Sequence, residues 1–170
     1  MKLRNVPLLV CIAAAATIGV AHAATDTTQF QVKITITESC DVHTVNATDI
    51  DFGTHVRSTT ATPIDNQGAL QLNCSRGTPY QIALDPGLNS SSPTAAADNR
   101  RMTSVDGGVV PYGLYRDAAR TQFWGRVIGT NTVGGTGSAA QQSIPVYGRV
   151  PATDVAAGVY LDTITATVTY

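Results

Sequence analysis

The side chains best suited to bind a metal or move a proton gather in one short stretch: His43, Asp49, Asp51 and His55. Two imidazoles and two carboxylates are a donor set that a zinc or other divalent ion would accept. Neither histidine, however, has a ligand-type neighbour at helical or Cys-x-x-Cys spacing. Asp49 and Asp51 alternate with Ile50 and Phe52, so an extended backbone turns both carboxylates to one side and both apolar groups to the other. That is the pattern of a solvated strand face. Two nearby carboxylates are also the equipment of a glycosidase, one acting as acid and one as base or nucleophile. No aromatic sugar platform surrounds this pair. Tyr112, Tyr115, Phe123 and Trp124 are grouped elsewhere and read either as such a platform or as core packing.

Other chemistries lack their parts. No Gly-x-Ser-x-Gly elbow or His-Glu-x-x-His pair is present. Gly134-Gly135-Thr136-Gly137 lacks the lysine and the following helix of a phosphate loop. The sequence therefore assigns no catalytic, cofactor-binding or metal-binding residue, and predicts neither an enzyme nor a cofactor.

Residues 1–23 read as an export signal. Lys2 and Arg4 form the basic start, Val6 to Val20 the apolar run, and Ala21-His22-Ala23 the small-residue cleavage site. The run is short for a membrane span and carries Pro7, so the chain is not expected to span a membrane. The expected mature chain has 9 basic and 12 acidic residues, a net charge of −3, with Lys33 its only lysine. A nucleic-acid surface needs clustered cations, which are missing. Cys40 and Cys74 remain as an isolated pair in an exported chain, and are expected to form a disulfide. Closing a loop of that size contributes roughly 4 kcal/mol in the chain-entropy view.

The elements that must hold these groups are strands. Phe30, Val32, Ile34 and Ile36 occupy every second position of the stretch Gln29–Thr37, with polar residues between, which is the signature of a one-faced strand. The stretch Tyr160–Tyr170 answers it, with Ile164, Ala166, Val168 and Tyr170 alternating with threonines. Between them, Ile50 and Phe52 suggest a strand reaching towards Arg57, and residues 58–68 a loop with an Asp65-Asn66-Gln67-Gly68 turn. Leu70, Leu72 and Cys74, then Tyr80, Ile82 and Leu84, mark two further strands, the second closed by Asp85-Pro86-Gly87. Asp106-Gly107-Gly108 signals a hairpin between 101–105 and 109–115. Residues 122–128 read as a strand, 129–138 as a Gly/Thr-rich loop, and 143–150 as a strand interrupted by Pro145. No amphipathic helix is visible, and short strands separated by turns predict an all-β sandwich.

Several stretches taken in order resemble the spore coat protein U domain family, whose best-understood members are subunits of archaic, Csu-type chaperone–usher pili. They are Glu38-Ser39-Cys40 after its alternating segment, Leu72-Asn73-Cys74, the run from Tyr112 to Arg120, Pro145-Val146-Tyr147-Gly148-Arg149, and Ala157-Gly158-Val159-Tyr160-Leu161-Asp162 before the threonine-rich end. The loop 89–99 and the segment after Cys40 fall outside the likeness. The resemblance implies an incomplete immunoglobulin-like β-sandwich completed by a donated strand. It divides the chain into a signal peptide (1–23), a donor extension (24–38) and a sandwich domain (39–170). It places the donor positions on Phe30, Val32, Ile34 and Ile36, the acceptor edge on Ile164, Ala166, Val168 and Tyr170, and a family disulfide on Cys40 and Cys74. The implied partners are other copies or related pilus subunits, a periplasmic chaperone and an outer-membrane usher. The implied route is the periplasm and then the cell surface, in adhesion or biofilm formation. A self-closed secreted coat protein and a carbohydrate-binding sandwich using Tyr112, Tyr115 and Trp124 are the alternatives.

Overall fold

The structure, a computed structural model, describes residues 25–42, 47–94 and 99–170. The export-signal assignment and His43 lie outside these residues. The chain divides into two units, Met1–Thr35 and Ile36–Tyr170. Described residues of the first unit belong to no strand.

The second unit is all-β, with no helix among the described residues. Its strands are β1 (Cys40–Asp41), β2 (Ile64–Cys74), β3 (Pro79–Leu84), β4 (Arg101–Thr103), β5 (Val109–Pro111), β6 (Gly113–Tyr115), β7 (Val133–Thr136), β8 (Gln141–Val150) and β9 (Ala166–Thr169). One antiparallel sheet runs β1-β2-β8-β6 and a second runs β7-β3-β9, with β4 and β5 forming a small ribbon. The two larger sheets both contribute to one core, as in a β-sandwich. Alternate residues supply it: Leu70, Leu72 and Cys74 from β2, Tyr80, Ile82 and Leu84 from β3, and Val146 and Val150 from β8. Val110, Tyr112, Leu114 and Trp124 fill the space between.

Five local expectations differ from the folded chain. The turn read into Asp65–Gly68 is instead the first half of β2, which pairs with β8 from Ile64↔Val150 to Asn73↔Gln141. Long-range pairing overrides local turn propensity here, because each polar residue finds a role. Asp65 accepts both bonds of a bidentate pair with Arg149, at 2.7 and 2.8 Å, and Asn66 donates its side-chain amide to the Asp51 carbonyl. At Gly68 a side chain would collide with the Thr48 carbonyl. The strand expected around Ile50 and Phe52 is not one: only Thr48 bridges to β2, at Ala69. Residues 122–128 likewise reduce to a single bridge, Tyr115↔Phe123, before a turn closed by Thr130 and Asn131 on the Val127 carbonyl. Part of the loop expected at 129–138 is strand β7, paired with β3. Pro145 does not interrupt β8. It stands opposite Ala69 of β2, while β6 pairs only with residues 147–149 of β8, so Pro145 occupies a stretch with a neighbour on one side only.

The disulfide between Cys40 and Cys74 is present and ties β1 to the end of β2. Its sequence separation of 34 closes a large loop. Ser39 and Ser75 continue the connection, Ser75 donating its amide to the Ser39 carbonyl at 2.8 Å and Ser39 donating to the Ser75 hydroxyl at 3.2 Å. We expect Cys40→Ser to lower stability by roughly 2–4 kcal/mol. Denaturant unfolding of the oxidised parent and the variant, at equal slope, checks this.

Candidate functional site

Of the acceptor-edge residues named from the sequence, Ala166 and Val168 fall on the last strand, Ile164 just before it and Tyr170 just after it. β9 pairs with β3 through Leu84↔Ala166, Ala83↔Thr167, Ile82↔Val168 and Gln81↔Thr169. It is the outermost strand of its sheet, so its other edge has no strand partner among the described residues. Ile164, Ala166 and Val168 are half-buried and pack against the core. Tyr170 lies past the end of β9 and is 59% exposed, so it stands off that apolar face. The strand thus offers a row of open backbone groups beside a row of apolar side chains, which is the chemistry that accepts another strand.

The stretch 29–37 is the expected donor. Phe30, Val32, Ile34 and Ile36 are 84, 89, 81 and 83% exposed, and residues 25–39 take part in no strand. Four large exposed apolar side chains within seven residues are of the kind that mark an interaction site.

A polar cluster that sequence reasoning missed holds the approach to β9. Arg100 is fully buried. Its guanidinium donates to the carbonyls of Trp124 at 2.8 Å, Leu84 at 3.2 Å and Asp85 at 2.6 and 3.0 Å. Burial pulls its pKa down to about 10, against the opposing pull of Tyr112, Asp85 and Asp162. Tyr112 donates its hydroxyl to Asp162 at 2.7 Å. Burial and that bond push the Tyr112 phenol far above its ordinary range. The other Asp162 oxygen accepts from the Asn89 backbone and side chain, at 3.0 and 3.1 Å. The Asp85 carboxylate accepts from Gly87 and Thr165 amides, at 3.0 and 2.9 Å. The only sequence signal for this cluster was the Asp85-Pro86-Gly87 turn, since Arg100 sits in a run of polar residues and Asp162 in a run of alternating ones.

The chemical candidates do not converge. Asp49 and Asp51 are exposed, while Ile50 and Phe52 turn towards the core. Asp51 accepts the Gly53 amide at 2.8 Å, and the His55 ring meets the Phe52 carbonyl at 2.6 Å. Among the described residues no three His, Cys, Asp or Glu side chains are placed to share a metal ion. The aromatic platform is not formed either. Trp124 is fully buried and donates its indole N–H to the Ile82 carbonyl at 2.9 Å, and Tyr112 is in the core. Phe123 is covered on one face by the Arg100 guanidinium, 5.0 Å from the ring centre.

No described helix is long and apolar enough to cross a membrane. Protein U of Myxococcus xanthus is 30% identical over 158 residues, which is 88% of this chain and 88% of that protein. A solved chaperone–tip adhesion subunit pre-assembly complex, from archaic chaperone-usher Csu pili of Acinetobacter baumannii, aligns with a TM-score of 0.49 and 22% identity. That alignment covers 80% of this chain and 40% of the other, so this chain spans well under half its length. The model of the Spore Coat Protein U domain matches residues 26–167, nearly the whole expected mature chain, and the protein belongs to that family.

Proposed function

We propose that this protein is a structural subunit of a surface pilus, in which residues 29–37 of one copy complete the sandwich of the next. The observation that carries the reading is the pairing of opposites within one sequence. An apolar, unpaired segment at Phe30–Ile36 matches in type and period the half-buried row Ile164, Ala166 and Val168 beside an open strand edge. Strand addition would bury the four donor side chains, a gross gain of about 6–12 kcal/mol. It would also pair the amides that β9 leaves open. Family membership supports the same reading.

The wider role follows from it. Export to the periplasm, capture by a chaperone that lends a temporary strand, hand-over to an outer-membrane usher, and use in adhesion or biofilm formation form one consistent route. The domain division at residues 24–38 and 39–170 belongs to this proposal. The buried positions of Tyr112 and Trp124 count against a carbohydrate-binding alternative built on them.

A donor peptide tests the reading. We expect a synthetic peptide of residues 26–38, in excess, to bind the purified full chain and to slow amide exchange at 166–169. It should also halt self-association. A peptide with Ile34→Asp should do neither. Failure of the parent peptide to alter exchange in β9 would refute strand addition at that edge.

A further inference from the structure

The terminal strand has a register problem that its own sequence does not solve. From Thr163 to Thr169 every odd position is threonine, and the even positions Ile164, Ala166 and Val168 are apolar. A slip of one residue would turn the apolar set outward and is strongly opposed. A slip of two residues keeps the same faces and is barely opposed by the pattern. β9 also has a partner strand on one side only, which leaves one ladder to hold it.

The residues that break the alternation are the ones that are pinned. Asp162 stands at an even, inward position, where a carboxylate is tolerated only because Tyr112 and Asn89 satisfy both its oxygens. Asn89 also donates its side-chain amide to the Leu161 carbonyl at 3.0 Å, and Leu88 donates to the Thr163 carbonyl at 3.1 Å. At Asp85 the ladder takes an unusual form. The Asp85 amide donates to the Thr165 carbonyl at 3.0 Å in the ordinary way. The return bond from the Thr165 amide goes to the Asp85 carboxylate, because Arg100 occupies the Asp85 carbonyl. A slip of two residues would put Tyr160 or Ile164 in the place of Asp162, and neither offers a carboxylate to Tyr112 and Asn89. The Asp85 bonds use backbone groups that Thr163 or Thr167 could also supply, so they strengthen the ladder without choosing its register. At Gly87 there is also no room for a side chain beside the Asp162 carboxylate.

We propose that Asn89, Tyr112 and Asp162 form a register pin, on a ladder that Asp85 and Arg100 anchor. They fix the terminal strand against slips of two residues, and so decide which apolar side chains stand along its open edge. Each is a positioning residue for the acceptor edge. The claim about what the edge accepts rests on the strand-addition reading above, while the pin itself does not.

Cross-strand cysteines read the register directly in the full chain. Ala83→Cys with Thr167→Cys joins a native pair on the outward face of β3 and β9. Ala83→Cys with Thr165→Cys, or with Thr169→Cys, reports a two-residue slip in either direction. Mass mapping confirms in each case that Cys40 and Cys74 remain joined. In the parent only the Thr167 position should link. In Asp162→Ala and in Tyr112→Phe, linkage at Thr165 or Thr169 should rise at least tenfold. Asp162→Asn can still accept from Asn89 through its amide oxygen and can donate its amide N–H to the Tyr112 hydroxyl oxygen, and should keep the parent pattern. If Asp162→Ala does not fold, Tyr112→Phe decides, since its ring still fills the core and only the hydroxyl is lost. A folded Tyr112→Phe that links at Thr167 alone overturns the pin. Binding of the 26–38 peptide, measured on the same proteins, separates the two claims. A parent that never binds the peptide refutes the acceptor reading, while the cross-link pattern still decides the pin.

Discussion

Ile34→Asp should abolish assembly while leaving a folded, soluble subunit. Ile34 lies at the centre of the exposed apolar row Phe30, Val32, Ile34 and Ile36. If that row enters the open edge of another copy, an aspartate there must be buried without a partner or the strand must stay out. Either outcome costs several kcal/mol, of the order of the donor's whole gain. In a donated strand Lys33 would fall on the opposite face, and Lys33→Asp should assemble nearly as the parent does. The comparison needs co-expression with the cognate chaperone and usher and a measurement of heat-resistant polymer on the cell surface. Equal polymer from Ile34→Asp and the parent would remove the inter-subunit role from this segment.

Arg100→Met should be the most destabilising single change among the polar positions, by roughly 3–5 kcal/mol. Methionine fills much of the same volume but leaves the carbonyls of Leu84, Asp85 and Trp124 without their donors. Each buried carbonyl so orphaned costs about 1–3 kcal/mol. Part of that is returned, because burying the guanidinium carries a desolvation cost, the same cause that lowers its pKa. Arg100→Lys keeps the charge but cannot fork between three carbonyls, and should fall between the two. Chemical denaturation of the three oxidised proteins gives the order. An Arg100→Met protein as stable as the parent would mean that the guanidinium is replaceable and that the cluster does not hold this end of the sandwich.

The parts of this fold legible in the sequence are those where one strand face alone was enough to define it. Leu70, Leu72 and Cys74, and Tyr80, Ile82 and Leu84, alternate because one side of each strand meets the core. The hairpin around Gly107 was legible because its φ of +80° needs a glycine there. The first half of β2 was not, since Asp65, Asn66 and Gln67 carry turn chemistry and owe their extended form to β8 and to Arg149. Residues 122–128 misled in the opposite sense. Phe123 and Trp124 have strand propensity, but one meets a guanidinium and the other is sunk in the core.

The candidate site divides in the same way. The two apolar rows at 30–36 and 164–168 were visible as periodicity. The cluster at Asp85, Arg100, Tyr112 and Asp162 was not, because its bonds run between residues up to 80 positions apart. An arginine that bonds three carbonyls leaves no motif, since carbonyls belong to every residue. Gly87 was legible as a turn residue. The second reason for it, the Asp162 carboxylate against its backbone, emerges only when the chain is folded.

Amide exchange along residues 29–37, read by mass spectrometry in the isolated full chain and again in assembled polymer, tests the inter-subunit role most directly. Exchange should run near the rate of an unstructured peptide in the monomer, in keeping with the exposure of Phe30, Val32, Ile34 and Ile36, and slow at least a hundredfold in the polymer. Slow exchange of the same amides in a stable monomer would contradict it, and the self-closed coat protein would take its place.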